Sequence, residues 1–356
     1  MNKESKQFLK NFLKQCAPSG FEETAQKVWV DRTKNYADSV KRDVMGNAIA
    51  ILNPKAEFKV MLAGHCDEIG FIITHVTKEG FIYVNSLGGI DKITIPGSEV
   101  WIQNNKGIVK GVIGKKAIHL QTSDERGKTL KIKDMYIDIG AKDDKEVLKL
   151  IEIGDPVTFR PNYLELGNDL ISSKACDDRV GGFVISEVIR ILSSQKNKLK
   201  VSVYATSTVQ EEVGLRGATT GAFGINPDVG FAIDVTFATD TPGSSKTENG
   251  DIVLGNGVVI HPGCANNRKL YKLVKQVATK KKLKYQIQSS GYPGGTDTSA
   301  IQLTRSGVAT LLLSIPLRYM HTQVEVISLK DLENTAKLIA ETILALKPNM
   351  EFIPKI

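Results

Sequence analysis

The chain has 356 residues, of which 41% are hydrophobic and 24% charged, and its formal net charge is +8. This composition excludes a wholly disordered or collagen-like chain, and the length suggests about two domains. No uncharged apolar run approaches the roughly 20 residues that a bilayer-spanning helix requires. The first 16 residues are basic but lack the continuous apolar stretch of a signal peptide. We therefore expect a cytoplasmic protein without a membrane partner.

The cysteines and the basic segments exclude two further classes of protein. The four cysteines are scattered and form no C-x-x-C pair, so we expect reduced thiols rather than disulfides or a zinc finger. The densest basic run, 280–284, lies on the polar side of a predicted helix without interleaved aromatic residues. Such a run is typical of a solvated helix face, and we expect no nucleic-acid partner.

The first sixty residues predict two helices followed by two strands. Apolar residues at helical spacing between positions 8 and 13 predict an amphipathic first helix. Ser19 and Glu22 stand in a capping-box pattern, which predicts the start of the second helix. The apolar runs 47–52 and 60–64 predict strands.

The segment from about 71 to 159 has a different texture. Short β-prone runs alternate there with Gly, Pro and Asp turns, and a helical pattern at 144–151 interrupts them. This alternation is typical of a small β-barrel or sandwich.

After residue 168 the pattern becomes an alternation of helices and strands. Helices are predicted at 180–192, 266–281 and 329–346, and strands at 200–208, 229–234 and 309–315. Such alternation favours an α/β fold with a mostly parallel sheet covered by helices on both faces. We therefore predict a catalytic domain from 1–68 and 163–356, interrupted by an inserted β-rich domain at 69–162.

The first candidate site residues lie at the end of the predicted strand 60–64. Side chains alternate along a strand, so His65 and Asp67 point to one face and Cys66 to the other. A histidine that ligates a metal usually has its second ring nitrogen held by a carboxylate. Asp67 is placed to supply that carboxylate.

The other candidates follow a predicted strand or precede a helix, namely Asp177, Asp178, Glu211, Glu212, Asp234 and His321. Open α/β sheets bind their ligands at the carboxyl ends of the strands. Helix capping explains only one of the two adjacent aspartates, and Asp178 is a candidate for that cap. Adjacent carboxylates repel each other, so burying Glu211 and Glu212 near a crevice requires a compensating cation.

Two histidines and several carboxylates at one edge of a sheet indicate a metal site. Mixed histidine and carboxylate ligands suit zinc, cobalt or manganese. The carboxylates outnumber the needs of a single ion, which favours two ions about 3.5–4 Å apart, bridged by an acid. The pair of Glu211 and Glu212 favours an open catalytic site, in which one acid binds metal and the other moves protons.

Five ordered motifs resemble those of the tetrahedral (TET) cytosolic metallo-aminopeptidases, which include glutamyl, leucyl and lysyl aminopeptidases. The motifs are GHCDEIG at 64–70, CDDR at 176–179, EEVGLRGA at 211–218, GGTD at 294–297 and RYMH at 318–321. The resemblance spans nearly the whole chain, including the β-rich insertion. It departs from the pattern after the last motif, where TQVE stands at 322–325 and the family often has a small residue and Pro.

The resemblance implies two divalent metal ions per subunit and a role for each candidate. His65, Asp177 and Asp234 would hold one ion, and Asp177, Glu212 and His321 would hold the other. Glu211 would be the general base and acid, and Asp67 would orient the ring of His65. The insertion would be a dimerisation domain, and the homo-oligomer would be a hollow dodecamer that acts on short peptides.

Three alternatives remain open at this point. A glycosidase needs two carboxyls facing each other across a sugar, at least about 5 Å apart, which neighbouring glutamates cannot provide without other partners. An amidohydrolase or deacylase would use the same pair of metals on a different substrate. A non-catalytic assembly protein would have no need of a free glutamate beside a full ligand set. Chelation separates the first alternative from a metallopeptidase, and substrate profiling separates the second.

Overall fold

The computed structural model describes residues 1–354. Its strands in chain order are β1 (Ser39–Arg42), β2 (Ala48–Leu52), β3 (Lys59–His65), β4 (Gly70–Val76), β5 (Ile82–Leu87), β6 (Glu99–Asn104), β7 (Gly107–Lys115), β8 (Met135–Asp138), β9 (Pro156–Phe159), β10 (Leu164–Glu165), β11 (Leu170–Ser173), β12 (Ser202–Thr208), β13 (Val229–Phe237), β14 (Val258–Ile260), β15 (Tyr285–Ile287), β16 (Ala309–Leu317) and β17 (Glu325–Ser328). The α-helices are α1 (Lys3–Leu13), α2 (Glu23–Thr33), α3 (Ser123–Arg126), α4 (Asp144–Leu150), α5 (Cys176–Ser193), α6 (Arg216–Ile225), α7 (Lys246–Asn249), α8 (Arg268–Lys281), α9 (Asp297–Gln302) and α10 (Leu329–Ala345). Within residues 1–354, none of the helices has the length and apolar character needed to cross a bilayer.

The larger sheet has eight strands in the order β1-β2-β12-β3-β13-β16-β14-β15. Its centre is parallel, because β3 pairs with β12 and β13, and β13 pairs with β16. β2 and β14 run antiparallel to their neighbours β12 and β16. The carboxyl ends of the four central strands therefore lie at the same edge of the sheet.

Helices cover both faces of this sheet. On one face α5 packs against β3, β12 and β13, with α1, α2 and α10 packed on α5, and on the other face lie α6 and α9. The alternation along β3 serves both faces: Val60 and Leu62 belong to the core that contains α5, and Met61 and Ala63 to the core beneath α6. The prediction of a mostly parallel sheet covered on both faces is confirmed.

A second sheet closes on itself as a six-stranded barrel in the order β4-β5-β8-β7-β6-β9. The barrel has its own core, in which Phe71 and Phe159 meet edge to face with ring centroids 5.6 Å apart. Of the predicted barrel or sandwich, the structure forms the closed barrel. A small third sheet, β10-β11-β17, joins the chain after the barrel to the strand that precedes α10.

The predicted capping box at Ser19 and Glu22 is wrong. Helix α2 begins at Glu23 and Glu22 occupies its N-cap position without a side-chain cap. The hydroxyl of Ser19 instead donates to Oδ2 of Asp67 at 2.7 Å. Ser19 therefore forms a long-range hydrogen bond with Asp67 instead of the helix cap that the local pattern predicted.

Strand β3 and helix α5 make a close backbone contact near the end of the strand. A Cβ atom at Gly64 would lie 2.5 Å from the carbonyl carbon of Gly181 and 2.7 Å from the nitrogen of Gly182. A side chain at position 64 would therefore force the strand and the helix apart. The contact places His65, the next residue, beside the beginning of α5.

Candidate metal centre

The five candidate ligands, the candidate base and Asp67 occupy strand ends and the beginning of one helix. They are His65 and Asp67 at and after the end of β3, Glu211 and Glu212 after β12, Asp234 in β13, His321 after β16 and Asp177 at the beginning of α5. Thr208, the last residue of β12, pairs with His65 in the parallel register. This register brings the two glutamates to the level of the histidine.

Asp177 lies between the two histidines. Its Oδ1 is 3.4 Å from Nε2 of His65, and its Oδ2 is 3.3 Å from Nε2 of His321. Glu212 approaches the second histidine, with Oε1 at 3.7 Å from Nε2 of His321. Glu211 approaches the first, with Oε2 at 3.8 Å from Nε2 of His65. The two carboxylate oxygens of Asp177 thus face different imidazole rings.

Two groups of donor atoms are compact enough to hold an ion. The donors of His65, Asp177 and Glu212 lie within 4.8 Å of one another, and so do those of His65, Asp178 and Asp234. One oxygen of Asp178 caps the first turn of α5, as the sequence suggested, by accepting a backbone N–H at 3.0 Å. Its Oδ2 is buried and has no hydrogen-bond partner among residues 1–354. The structure therefore places Asp178, which belongs to neither predicted ligand set, beside the predicted ligands.

Burial and mutual repulsion raise the pKa of most of these carboxylates. The pKa of Glu211 rises to about 10, that of Glu212 to about 8 and that of Asp234 to about 7, with burial as the main cause and neighbouring acids as another. Burial also opposes the ionisation of Asp177, but hydrogen bonds from the two histidine rings outweigh it and lower its pKa. Crowded buried acids beside two imidazoles are a donor set that fits divalent cations.

Asp67 lies behind His65 and is fully buried. Its Oδ1 is 3.3 Å from Nδ1 of His65, the ring nitrogen opposite the one that faces Asp177, and its backbone carbonyl oxygen is 3.2 Å from the same nitrogen. The backbone N–H groups of Glu211 and Glu212 donate to its two oxygens at 3.1 and 3.2 Å. One carboxylate thus touches the strand that carries the histidine and the loop that carries both glutamates.

Glu325 is a buried acid that the sequence analysis did not assign to the site. The backbone N–H groups of Asp177 and His321 donate to its two oxygens at 3.0 and 2.9 Å. Glu325 therefore joins the beginning of α5 to the loop of the second histidine. The departure from the family pattern at 322–325 was the signal at this position, although it did not indicate the role.

A buried cluster of Glu68, Lys174 and Arg179 holds the loop after β3 in place. Glu68 accepts from Nζ of Lys174 at 2.6 Å and from Nη2 of Arg179 at 2.8 Å. All three side chains are at most 2% exposed. Arg179 also donates to the carbonyl oxygens of Cys66 and Gln15, at 3.0 and 2.8 Å. The cluster joins α5, the loop after β3 and the segment between α1 and α2.

The centre opens into a cavity of about 730 Å³. Its lining includes His261, whose Nε2 is 2.9 Å from Oγ of Ser314. Burial lowers the pKa of His261 to about 4, so this ring is neutral at physiological pH. Among residues 1–354 that line the cavity there is no lysine or arginine, and Glu248 lies at its exposed side.

Several residues that the sequence left unassigned lie outside the centre. Arg318 forms a two-pronged ion pair with Asp240, at 2.8 and 2.7 Å, and Arg216 is exposed. His119 is exposed and belongs to the segment between β7 and β8. All four cysteines are free thiols, and three of them are buried.

The sequence profile of a family described as M42 glutamyl aminopeptidase matches residues 46–338. The chain belongs to this M42 family. A lysyl aminopeptidase of Pyrococcus furiosus is 36% identical over 354 residues, which cover 98% of this chain and 99% of the relative. The resemblance inferred from the five motifs is confirmed.

Solved structures similar to this chain include TET aminopeptidases. A TET aminopeptidase from a marine-sediment Thaumarchaeota archaeon has a TM-score of 0.93 at 34% identity, covering 97% of each chain. The TET1 peptidase of Pyrococcus horikoshii has a TM-score of 0.86 at 34% identity, covering 96% of this chain and 100% of the other. That peptidase can assemble into a tetrahedron or a large octahedral shell. This M42 chain is thus a peptide hydrolase of a metal-dependent aminopeptidase family.

Proposed function

We propose that this M42 aminopeptidase removes N-terminal residues from short peptides with two divalent ions at the carboxyl edge of its sheet. One ion would be held by His65, Asp177 and Asp234, and the other by Asp177, Glu212 and His321. The observation that carries this proposal is the position of Asp177, whose two oxygens face different imidazoles at 3.4 and 3.3 Å. A carboxylate with this placement is suited to bridge two cations.

The chain's own residues would then divide the remaining work. When bound, the ions supply Lewis acidity to the scissile carbonyl and to the attacking water. Glu211, which neither ligand set uses and whose carboxyl two neighbouring cations would keep ionised, would take the proton from the water and return it to the leaving amine. Asp67 would hold the ring of His65 by accepting a hydrogen bond from Nδ1. For the metal itself we propose zinc or cobalt, with manganese as a further ion that these ligands accept.

Replacement of the general base tests the mechanism. In Glu211→Gln we expect both ions to remain bound while kcat on aminoacyl-anilides falls about 10²–10⁴-fold, because the proton acceptor is lost. Metal analysis and steady-state kinetics on the same sample measure the two quantities. Glu146→Gln, at an exposed position of α4, is the control and should keep full activity. Near-normal turnover of Glu211→Gln with both ions bound would exclude this role.

Chelation tests the need for metal. EDTA should abolish hydrolysis of aminoacyl-anilides, and zinc or cobalt should restore it. A hydrolase that works with two carboxylates alone, such as a glycosidase, would keep its activity in EDTA.

For the assembly we propose that residues 69–162 form a dimerisation domain and that the dimers form a dodecamer. The support is that this part of the chain has its own barrel and presents exposed apolar side chains, among them Ile93 at 78% and Leu120 at 71% exposure. A closed shell would admit short, unfolded peptides. The mass in solution tests this assembly, and a mass of one chain would contradict it. A cytoplasmic location stays a prediction.

A further inference from the structure

The segment between α1 and α2, residues 14–22, contacts two loops of the metal centre. The backbone N–H of Glu68 donates to the carbonyl of Ala17 at 3.1 Å, and the N–H of Ala17 donates to Oε1 of Glu68 at 3.1 Å. At the other end of the segment, Glu22 accepts from the backbone N–H of Gln210 at 3.1 Å. The segment therefore joins the loop after β3 to the loop after β12.

Ser19 lies in the middle of this segment and is 4% exposed. Its hydroxyl donates to Oδ2 of Asp67 at 2.7 Å, a length typical of a charge-assisted hydrogen bond. The other contacts of Asp67 are longer, at 3.1 and 3.2 Å from the backbone N–H groups of Glu211 and Glu212. The hydroxyl therefore makes the shortest hydrogen bond that restrains this buried carboxylate.

We propose that Ser19 is a positioning residue for the metal centre and that it acts through Asp67. By restraining rotation of the Asp67 carboxylate, the hydroxyl keeps Oδ1 opposite Nδ1 of His65, 3.3 Å away. The ring is then held with Nε2 toward Asp177, at 3.4 Å. Without the hydroxyl, Oδ2 keeps the longer backbone contact and the carboxylate turns more freely. This inference rests on the proposed role of His65 as a metal ligand.

Cobalt binding to Ser19→Ala tests this role, because the absorption of bound cobalt depends on the geometry of its ligands. Competition with a chelator measures the dissociation constants of the two ions. We expect at least one constant to rise about tenfold, the lower end of the range for the loss of an outer partner of a metal ligand. The visible cobalt bands should shift with it.

Thr24→Val is the matched control. Thr24 lies just after the same segment, and its hydroxyl donates to the carbonyl of Cys16 at 2.8 Å without contacting Asp67. Its loss costs one hydrogen bond near the segment, as the loss of the Ser19 hydroxyl does. We expect Thr24→Val to bind both cobalt ions with unchanged constants and an unchanged spectrum.

A second comparison, between Ser19→Thr and Ser19→Val, separates the effect of the hydroxyl on cobalt affinity from any effect of altered folding. The two new side chains have the same shape and differ in the hydroxyl, so steric strain cancels in the comparison. Ser19→Thr should bind cobalt about tenfold more tightly than Ser19→Val. Equal affinities in this pair, or unchanged affinity and spectrum in Ser19→Ala, would overturn the role of Ser19. Failure of the unaltered chain to bind two cobalt ions would instead overturn the proposed function.

Discussion

At the scale of single residues, the centre depends on carboxylates that touch more than one element. Asp177 faces both histidines, Asp67 contacts His65 and the loop of the two glutamates, and Glu325 contacts Asp177 and His321. Each of these acids is buried, so removing one leaves the groups around it without a counterpart. The number of metal ions that each substituted protein retains is therefore the quantity to measure.

A comparison of two ligand variants follows from the position of Asp177. We expect His321→Ala to retain one ion per chain, because His321 belongs to one proposed ligand set. Asp177→Ala should retain neither ion with high affinity, because both sets include Asp177. Metal content after gel filtration measures the difference. Asp331→Ala is the control and should keep both ions. Asp331 is a buried aspartate outside the centre, and it accepts hydrogen bonds from two backbone N–H groups, each 2.7 Å long. Equal metal content in His321→Ala and Asp177→Ala would contradict a bridging role.

The sequence placed these acids and histidines at one edge of the sheet, because carboxyl ends of neighbouring parallel strands share an edge, and their roles as ligands stay predictions. Apart from Asp67, the sequence did not predict the residues around them. Ser19 stands 48 positions before its partner Asp67, and its local pattern is that of a helix cap. Asp178 was explained as a cap, and only the packing of α5 on the sheet places it beside Asp234. Both contacts depend on tertiary packing rather than on local sequence.

At the scale of elements, the long apolar patterns and the short strands of the barrel were predicted well, whereas helix α6 was not. The central strands and α1, α5, α8 and α10 lie within a few residues of the predicted positions. Helix α6 is missing from the predicted elements because its sequence, RGATTGAFGI, is rich in glycine. One of its glycines, Gly217, is needed by the fold, since a Cβ there would lie 2.5 Å from the backbone of Val209. Close packing against the residue after β12 therefore requires a glycine within α6, although glycine usually disfavours a helix.

The cluster of Glu68, Lys174 and Arg179 gives a stability prediction at this scale. We expect Glu68→Gln to lower the free energy of unfolding by about 3 kcal/mol or more, because two buried cations lose their counter-charge. Chemical denaturation of the metal-free protein measures this change. Glu165→Gln is the control, since its pair with Lys6 at 2.8 Å is exposed and should contribute less than about 1 kcal/mol. Similar losses in the two variants would show that burial of the cluster is unimportant.

At the scale of the whole molecule, the cavity beside the centre lacks positively charged side chains from the described part of the chain. Its wall beyond the centre consists mainly of neutral groups, including the uncharged ring of His261. Glu248 adds a negative charge at the exposed side, and no lysine or arginine of the described chain lines the cavity. An acidic side chain at the N-terminus of a peptide would therefore lack a cationic partner from this chain.

Substrate profiling tests this expectation directly. We expect kcat/KM for a lysyl-anilide to exceed that for a glutamyl-anilide by about tenfold, which corresponds to about 1.4 kcal/mol. Glu248→Lys should raise the glutamyl rate and lower the lysyl rate, because the charge at the cavity changes sign. The rate on leucyl-anilide, which carries no charge on its side chain, is the control and should not change. A glutamyl preference in the unaltered enzyme would contradict this interpretation of the cavity.

The contact at Gly64 has a consequence for how loss of function is interpreted. Strand β3 and helix α5 already touch backbone to backbone there, so their separation has no room to shrink. One added methyl group would widen the gap and move an imidazole away from its aspartate without changing any reactive group. A mutational survey would then score a chemically silent position as essential. The approach of His65 to Asp177 thus depends on a contact between two backbones that leaves no space for a side chain.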